Sequence, residues 1–345
     1  MGHNLYIDTA TGKVSMMYVG GSPWHGLGTK LDKPATAVEA IKAAGLDWDV
    51  EKRPLQISEG GTTVPVHNRY GVVRSDLWQR CTQKKSIVRR EECPVYGIVG
   101  KEYTPLQNRE AFSFFDDIVG KGAAIYHTAG ALGQGERIWI LAKLPESIRV
   151  ADEDITDKYL LLSNSHDGSS AVQVKFTPIR VVCENTLTMA LRKGPTVRVA
   201  HMRDVHQRLK QAEKILGLVR RRYEDIEQKF QAMSQVQMNP LRLNEYLGLV
   251  FPDPDIQDEK ATRRVERDRA FAQYFFESGI GNQLPGVKDT LWAAYNGITE
   301  YIDHRTAGGQ EPSSKRLESV WFGNGYLIKV RAFEVAESKL EPWRA

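Results

Sequence analysis

The chain has three cysteines, Cys81, Cys93 and Cys183, among 345 residues. Their spacing makes neither a disulfide framework nor a paired zinc motif, so reduced thiols in a cytoplasm are expected. No apolar run comes near the roughly 20 residues that span a bilayer, which excludes an integral helical membrane protein and a membrane partner. The opening Met1-Gly-His-Asn-Leu-Tyr-Ile-Asp lacks the basic start and apolar segment of an export signal. A dinucleotide loop is missing as well: Gly130-Ala-Leu-Gly-Gln-Gly135 has the wrong glycine order and opens no helix. No nucleophile–base constellation emerges, so no catalytic residue, metal ligand or cofactor is assigned.

What is present is an ordinary globular composition, 41% hydrophobic and 26% charged. The length allows one large domain or two ordinary ones. The net charge of +4 permits contact with polyanions without demanding it. The cations are clustered, however. Arg80 to Arg90 holds five basic residues and no acid, and Glu91-Glu92 follows. Such a run is usually a solvated surface; the alternative is a basic arm that tracks a phosphate backbone.

The chain is organised around Ser170 to Leu191. Val172, Val174 and Phe176 alternate with Gln173, Lys175 and Thr177, the period of a half-buried strand. Pro178 cannot donate to a ladder, so pairing should weaken or the strand should kink there. Leu187, Ala190 and Leu191, stopped by Gly194-Pro195, predict a short helix. The turn from Arg180 to Asn185 would then sit at a sheet edge.

Upstream, Thr36 with Glu39 predicts a capping box on a helix closed by Gly45. Strands are expected at 53–57, 62–67 and 70–74. Asn108 is placed as the cap of a helix carrying Ala111, Phe112, Phe115, Ile118 and Val119 on one face. A strand at 95–99 precedes that helix, and short links join the strands that follow it at 123–129, 137–142, 159–163 and 171–176, with a hairpin signal at His166-Asp-Gly-Ser169. Short links make neighbours antiparallel, so an antiparallel β-meander with a packed helix is predicted. Downstream, Val205, Leu209, Ala212, Leu216, Val219, Tyr223, Ile226, Phe230 and Met233 keep alternating spacings of four and three. That is one long heptad-patterned helix over 204–234, whose seam must pack on another helix of the same chain or of a second copy. A charged helix over 258–278 follows, with a solvated start and Phe271, Tyr274 and Phe275 burying its end, then a helix from Asp289 to Arg305. The fold class is α+β: a β-rich mixed core over 1–200 and a mainly helical C-terminal half over 201–345.

Four stretches together carry a resemblance. Tyr18-Val19 with Trp24-His-Gly-Leu-Gly28, Arg180-Val-Val-Cys-Glu-Asn-Thr-Leu187, Trp292 to His304, and Trp321-Phe-Gly-Asn-Gly325 resemble the phage/plasmid-like proteins of domain-of-unknown-function family 932. The resemblance implies a mobile-element setting in a bacterial cytoplasm and transfers no catalytic residue. For a basic protein in that setting, single-stranded DNA is the expected partner, bound in recombination or strand annealing by a homo-oligomer. Such binding needs cations along a groove and aromatic faces for bases to stack on. Lys84, Lys85, Arg89, Arg90, Lys175, Arg180, Arg192, Lys193, Arg198 and Arg203 are the expected cations, converging on one surface. Trp24 and His25, in a glycine-flanked loop, are the expected stacking groups.

Two other readings compete. A metal-dependent hydrolase or nuclease would use Glu300 and His304, one helical turn apart, with Asp303 beside them, or Cys183 as a nucleophile. A bonded pair between apolar neighbours is the simpler account of Glu300 and His304. The third reading is a non-catalytic protein that contacts a host partner.

Overall fold

The computed structural model describes residues 5–8, 11–20, 27–33, 35–83, 93–119, 125–151, 153–176, 178–180, 185–186, 197–199, 201, 212–254, 258–305, 319 and 323–344. The first half is built on two sheets. Strands β1 (Met16–Val19) and β2 (Thr29–Leu31) run parallel at one edge of the larger sheet. Helix α1 (Ala37–Ala43) follows, held by the expected box: Thr36 accepts from the Glu39 N–H while the Glu39 carboxylate accepts from the Thr36 N–H. Strands β3 (Val50–Glu59) and β4 (Thr62–Arg74) form a long hairpin, and β4 runs directly into α2 (Ser75–Gln83). The two runs expected on either side of Asn68 are therefore one strand. It bends through Asn68, which adopts a left-handed φ of 54° that asparagine tolerates. Strand β5 (Val95–Gly100) returns along β4 to complete a three-stranded antiparallel sheet.

Helix α3 (Asn108–Val119) leads into the meander β6 (Ile125–Leu132), β7 (Arg137–Arg149), β8 (Ile155–Ser165) and β9 (Val172–Phe176). Strand β10 (Ile179–Arg180) continues β9 along the same edge of β8. Phe176 faces Leu160 and Ile179 faces Asp157, so the register passes Pro178 unbroken although the pairing lapses there. The proline interrupts the bonds without shifting the strand. Strand β11 (Asn185–Thr186) pairs antiparallel with β10, with Arg180 opposite Asn185. The short helix expected at 187–191 lies outside the described residues. Strand β12 (Val197–Val199) pairs with β9.

One face of this sheet carries Met17, Ala129, Ile138, Ile140, Leu160, Leu162, Val172 and Val174, all buried in the main core under α1 and α3. The other face holds a second apolar cluster around Met16, Tyr18, Trp139, Leu141, Tyr159 and Leu161. Trp139 lies so close over β6 that a Cβ at Gly130 would come within 2.3 Å of its ring. Only glycine fits under the indole.

Among the described residues the second half is helical: α4 (Ala212–Ser234), α5 (Pro240–Val250), α6 (Glu259–Ser278), α7 (Leu291–Glu300) with a π-turn at Tyr301–Arg305, and α8 (Asn324–Lys339). The seam residues Tyr223, Ile226, Phe230 and Met233 are buried, and their helix packs on α3, α7, α8 and β7. The Phe230 ring sits 4.5 Å from Trp292 and 6.2 Å from Phe333. That part of the heptad seam is thus closed within one chain; 204–211 lies outside the described residues. Helix α7 is buried along its whole length. It approaches α6 closely because a Cβ at Gly297 would meet the Phe276 backbone N at 2.6 Å.

Replacing Phe230 by alanine should lower the unfolding free energy by about 3–5 kcal/mol, the usual loss for a buried aromatic. Leu241→Ala, at a position 77% exposed, should change it by less than about 0.5 kcal/mol. Urea unfolding of the two variants measures both.

Candidate functional site

Of the residues expected to bind nucleic acid, Trp24, His25, Lys84, Lys85, Arg89, Arg90, Arg192, Lys193 and Arg203 lie outside the described residues. For Lys175, Arg180 and Arg198 the backbone is described. Lys175 pairs with Leu161 and Arg198 pairs with Gln173, so the ladder puts positions 173, 175 and 198 on one sheet face. Arg180 pairs with Thr156 in the same unbroken register. It lies five positions from Lys175, an odd offset, which assigns it to the opposite face. The sheet therefore brings two of these three positions together and sets the third apart.

Two aromatic residues that the sequence expectations assigned to the core, Phe271 and Tyr274, are instead on the surface. In α6, Lys260, Arg264, Arg267, Phe271 and Tyr274 follow one another at spacings of four and three, which aligns them along one side of the helix. Phe271 is 43% and Tyr274 59% exposed, and of the three aromatics expected to bury the end of this helix only Phe275 is buried. The reason lies one residue along. Asp268, Ala272, Phe275 and Gly279 form a parallel stripe with the same spacing, and that one packs inward. From Lys260 to Tyr274 the exposed stripe is about 21 Å long at the usual helical rise.

Its chemistry is one-signed. The Arg264 and Arg267 side chains are 66% and 55% exposed, and both lean on the single carboxylate of Asp268, at 3.9 and 3.0 Å. Asp268 also accepts the Tyr301 hydroxyl at 2.6 Å. The Phe271 ring stacks on Tyr301 with centroids 5.4 Å apart and planes 10° from parallel. So the inner face of Phe271 is fixed by Tyr301 while its outer face stays in water. Lys260 makes no ion pair among the described residues. Tyr301 opens the π-turn, a local widening of the helix that re-aims side chains at the end of α7.

A second basic feature is a cleft of about 590 Å³ between the β1–β2 edge and α1. Lys13, Lys42, Asp8, Asp47, Trp48 and Arg74 line it together with Gly28 and Thr29. Arg74 is fully engaged, by Asp76 at 2.6 Å, Asp8 at 3.7 Å and the Trp48 ring at 5.0 Å. Asp47 pairs with Arg109. Lys13 and Lys42 carry no ion pair among the described residues, so these two ammoniums are what the cleft offers an anion.

Behind Trp48 lies a buried polar cluster. A Cβ at Gly97 would stand 2.1 Å from the Asp167 carbonyl, so glycine lets β5 press against the β8–β9 turn there. The His166 ring sits 5.4 Å from Trp48 and stacks on Tyr96 at 6.3 Å. Asn108, expected as a helix cap, instead donates to the Leu46 carbonyl and accepts from His166 Nε2 at 3.0 Å. The hydrogen-bond pattern thereby puts the proton on Nε2 and leaves Nδ1 bare, without a partner among the described residues. His201, stacked on Tyr103 at 4.8 Å, gives its Nδ1 proton to the Thr104 carbonyl, and its Nε2 is likewise unpartnered. Burial, helped by the nearby His201, pushes the His166 imidazole down to about 3, with Asp167 opposing. Burial lowers His201 as well.

The acidic candidates of the hydrolase reading have structural partners. Glu300 accepts the Ile280 N–H at 3.0 Å, fixing the turn after α6, and Asp303 pairs with fully buried Lys329 at 2.7 Å. The His304 side chain lies outside the described residues. Among the described residues no group of three or more His, Cys, Asp or Glu side chains is placed to hold a metal. No helix among them is long and apolar enough to cross a membrane.

Comparison with known proteins gives one relationship. The model of a family described as Domain of unknown function (DUF932) matches residues 95–321. No curated protein matches the chain, and no solved structure does. The matched region contains the α6 stripe and the buried histidines, whereas the lysine cleft lies before it.

An unfolded histidine takes up its proton near 6.5 and the buried His166 only at about 3. Stability is therefore expected to fall as pH drops through 6.5, by up to about 1.4 kcal/mol per pH unit for one extra proton bound by the unfolded chain. His166→Gln keeps a donor for Asn108 and should flatten that slope within the same window, as urea midpoints across pH would show.

Proposed function

Because the chain belongs to the family described as Domain of unknown function (DUF932), which prescribes no activity, we propose from its surface chemistry that it binds single-stranded nucleic acid. The observation that carries this reading is the α6 stripe. Lys260, Arg264 and Arg267 supply cations with one shared counter-charge, and Phe271 and Tyr274 follow them on the same side of the helix with their faces in water. A single strand needs this pairing, since phosphates take the cations while unstacked bases take the rings. Every base has a π-face, so the contact is sequence-tolerant. Exposed aromatics beside arginines are otherwise an unfavourable use of surface.

The positions of Lys175 and Arg198 on one sheet face, and the ammoniums of Lys13 and Lys42, which make no ion pair among the described residues, extend the same chemistry to other parts of the molecule. The resemblance to phage and plasmid proteins supports a mobile-element role such as strand annealing in recombination. The described part of the heptad seam is occupied within the chain, so assembly into an oligomer would need a different surface.

Fluorescence anisotropy with a labelled single-stranded oligonucleotide at two salt concentrations tests the reading. Phe271→Ala and Tyr274→Ala should each weaken binding by about 1–3 kcal/mol where a base stacks on the ring. Arg264→Ala and Arg267→Ala should each lower the log–log salt slope by about 1. Binding by the combined four-residue variant that matches the unchanged protein would overturn the proposal, as would no binding by the unchanged protein at low salt.

A further inference from the structure

The three-stranded sheet of β3, β4 and β5 takes no part in the binding proposed above, yet its outer face is apolar. Strand β5 pairs with β4 only over residues 69–73, while β3 and β4 stay paired out to Glu59 and Thr62. The hairpin therefore runs on past β5 as a two-stranded ribbon, closed by Gly60 and Gly61. Alternation along β3 puts Arg53, Leu55, Ile57 and Glu59 on one face. There Ile57 stands opposite Val64, Glu59 opposite Thr62 and Arg53 opposite Gly71, with Ile98 beyond Gly71 on β5. Ile57, Val64 and Ile98 are each more than half exposed. A Cβ at Gly71 would meet Val95 at 3.0 Å and Leu55 at 3.4 Å, so those two side chains close over the glycine and level the face. The other side of the ribbon is polar, with Ser58 bonded to Thr63 at 3.0 Å. A two-stranded ribbon is marginal in water until its apolar side packs against something.

The face is apolar in the middle and carries opposite charges at its two ends. Glu59 lies at the tip. Arg69, two residues before Gly71 and so on the same face, lies toward the base. Neither makes an ion pair among the described residues, whereas Arg53 is held by Glu51 at 2.7 Å. The edges are blunted. Pro54 sits in β3, whose outer edge is unpaired among the described residues, and Pro65 sits in the stretch of β4 that β5 does not reach. Proline cannot donate to an added strand, so edge-to-edge growth is disfavoured and the face itself is left as the contact.

We propose that this face packs against the same face of a second copy of the chain, antiparallel about a two-fold axis through the Ile57–Val64 pair. A two-fold contact has to be self-complementary. Antiparallel stacking meets that condition: Ile57 of each copy lies on Ile57 of the other, and each Glu59 comes over the other copy's Arg69. Charge pattern thus selects the partner as well as apolar area. At about 3.4 Å per residue and about 4.8 Å between strands, the face is roughly 34 Å long and roughly 10–14 Å wide. That footprint of roughly 400 Å² is smaller than the about 800 Å² per partner of a standard interface, so the dimer dissociates on dilution.

Sedimentation velocity of the full chain over a concentration series, at low salt and without nucleic acid, tests this. The average mass should rise from 38.9 kDa toward twice that value. Glu59→Lys and Arg69→Glu should each raise the dimer Kd at least about tenfold, because like charges then meet at both ends of the contact. The double variant should recover the dimer. An equimolar mixture of the two single variants should recover it as well, since both end contacts are then attractive. Ile57→Asp should stay monomeric throughout with an unchanged Tm. The proposal is overturned if the unchanged protein remains at 38.9 kDa at the highest concentration, or if the dimer persists in Ile57→Asp. It is also overturned if the mixture fails to recover a dimer that each single variant has lost, or if Phe271→Ala abolishes it, which would put the contact on α6. None of these outcomes depends on whether nucleic acid binds.

Discussion

Among the contacts that tie the two halves of the molecule, one buried hydrogen bond supports much else. The Trp292 indole N–H, at the start of α7, donates at 2.6 Å to the Asp154 carboxylate in the connection between β7 and β8. Both residues are fully buried. A carboxylate taken out of water without partners would be strongly destabilising, so the indole's position is set by charge as well as by packing. Phe230 then packs, tilted, against the same indole from α4, and Phe333 closes on Phe230 from α8. Sheet and helices share one continuous core through this junction, which reaches from Tyr6 to Trp343.

That junction also explains how α6 can show aromatic rings to solvent. Helix α7 is buried all round, and Gly297 lets α6 lie almost backbone to backbone against it. Ala272 and Phe275 supply enough inward contact to hold α6, so Phe271 and Tyr274 are not needed for packing. Asp268 is the pivot, because it is mostly buried and collects Tyr301, Arg264 and Arg267 at once. The Phe271 ring, clamped on one face by Tyr301, loses little freedom when a ligand covers the other. Preorganisation of that kind is what turns an exposed ring into a useful stacking platform.

The buried histidines have the opposite character. His166 and His201 are held neutral by burial, each with one ring nitrogen donating and the other without a partner among the described residues. They sit where the smaller sheet presses on the β8–β9 turn through Gly97. Their consequence is a fold that tolerates acid poorly. The ring stacking of Trp48, Tyr96 and His166 places this sensitivity directly behind the lysine-lined cleft.

Periodicity and end chemistry made a good part of this legible in the sequence. The capping box at Thr36 and Glu39, the alternation of Val172 and Val174, and the heptad spacing of Tyr223 to Met233 each depend on residues a few positions apart, where local geometry dominates. The antiparallel meander followed from short links for the same reason, and so did the α+β class. Long-range partners decided the rest. Asn108 is a good helix cap by type, but His166, far along the chain, claims its carbonyl oxygen. Arg180 and Lys175 are neighbours in sequence, yet an unbroken register past Pro178 assigns them to opposite faces. Two stripes of equal period run along α6, and the spacing is the same for both. Which of them faced water was settled by where Gly297 and α7 came to rest, because burial is a property of what packs against a helix and not of the helix alone.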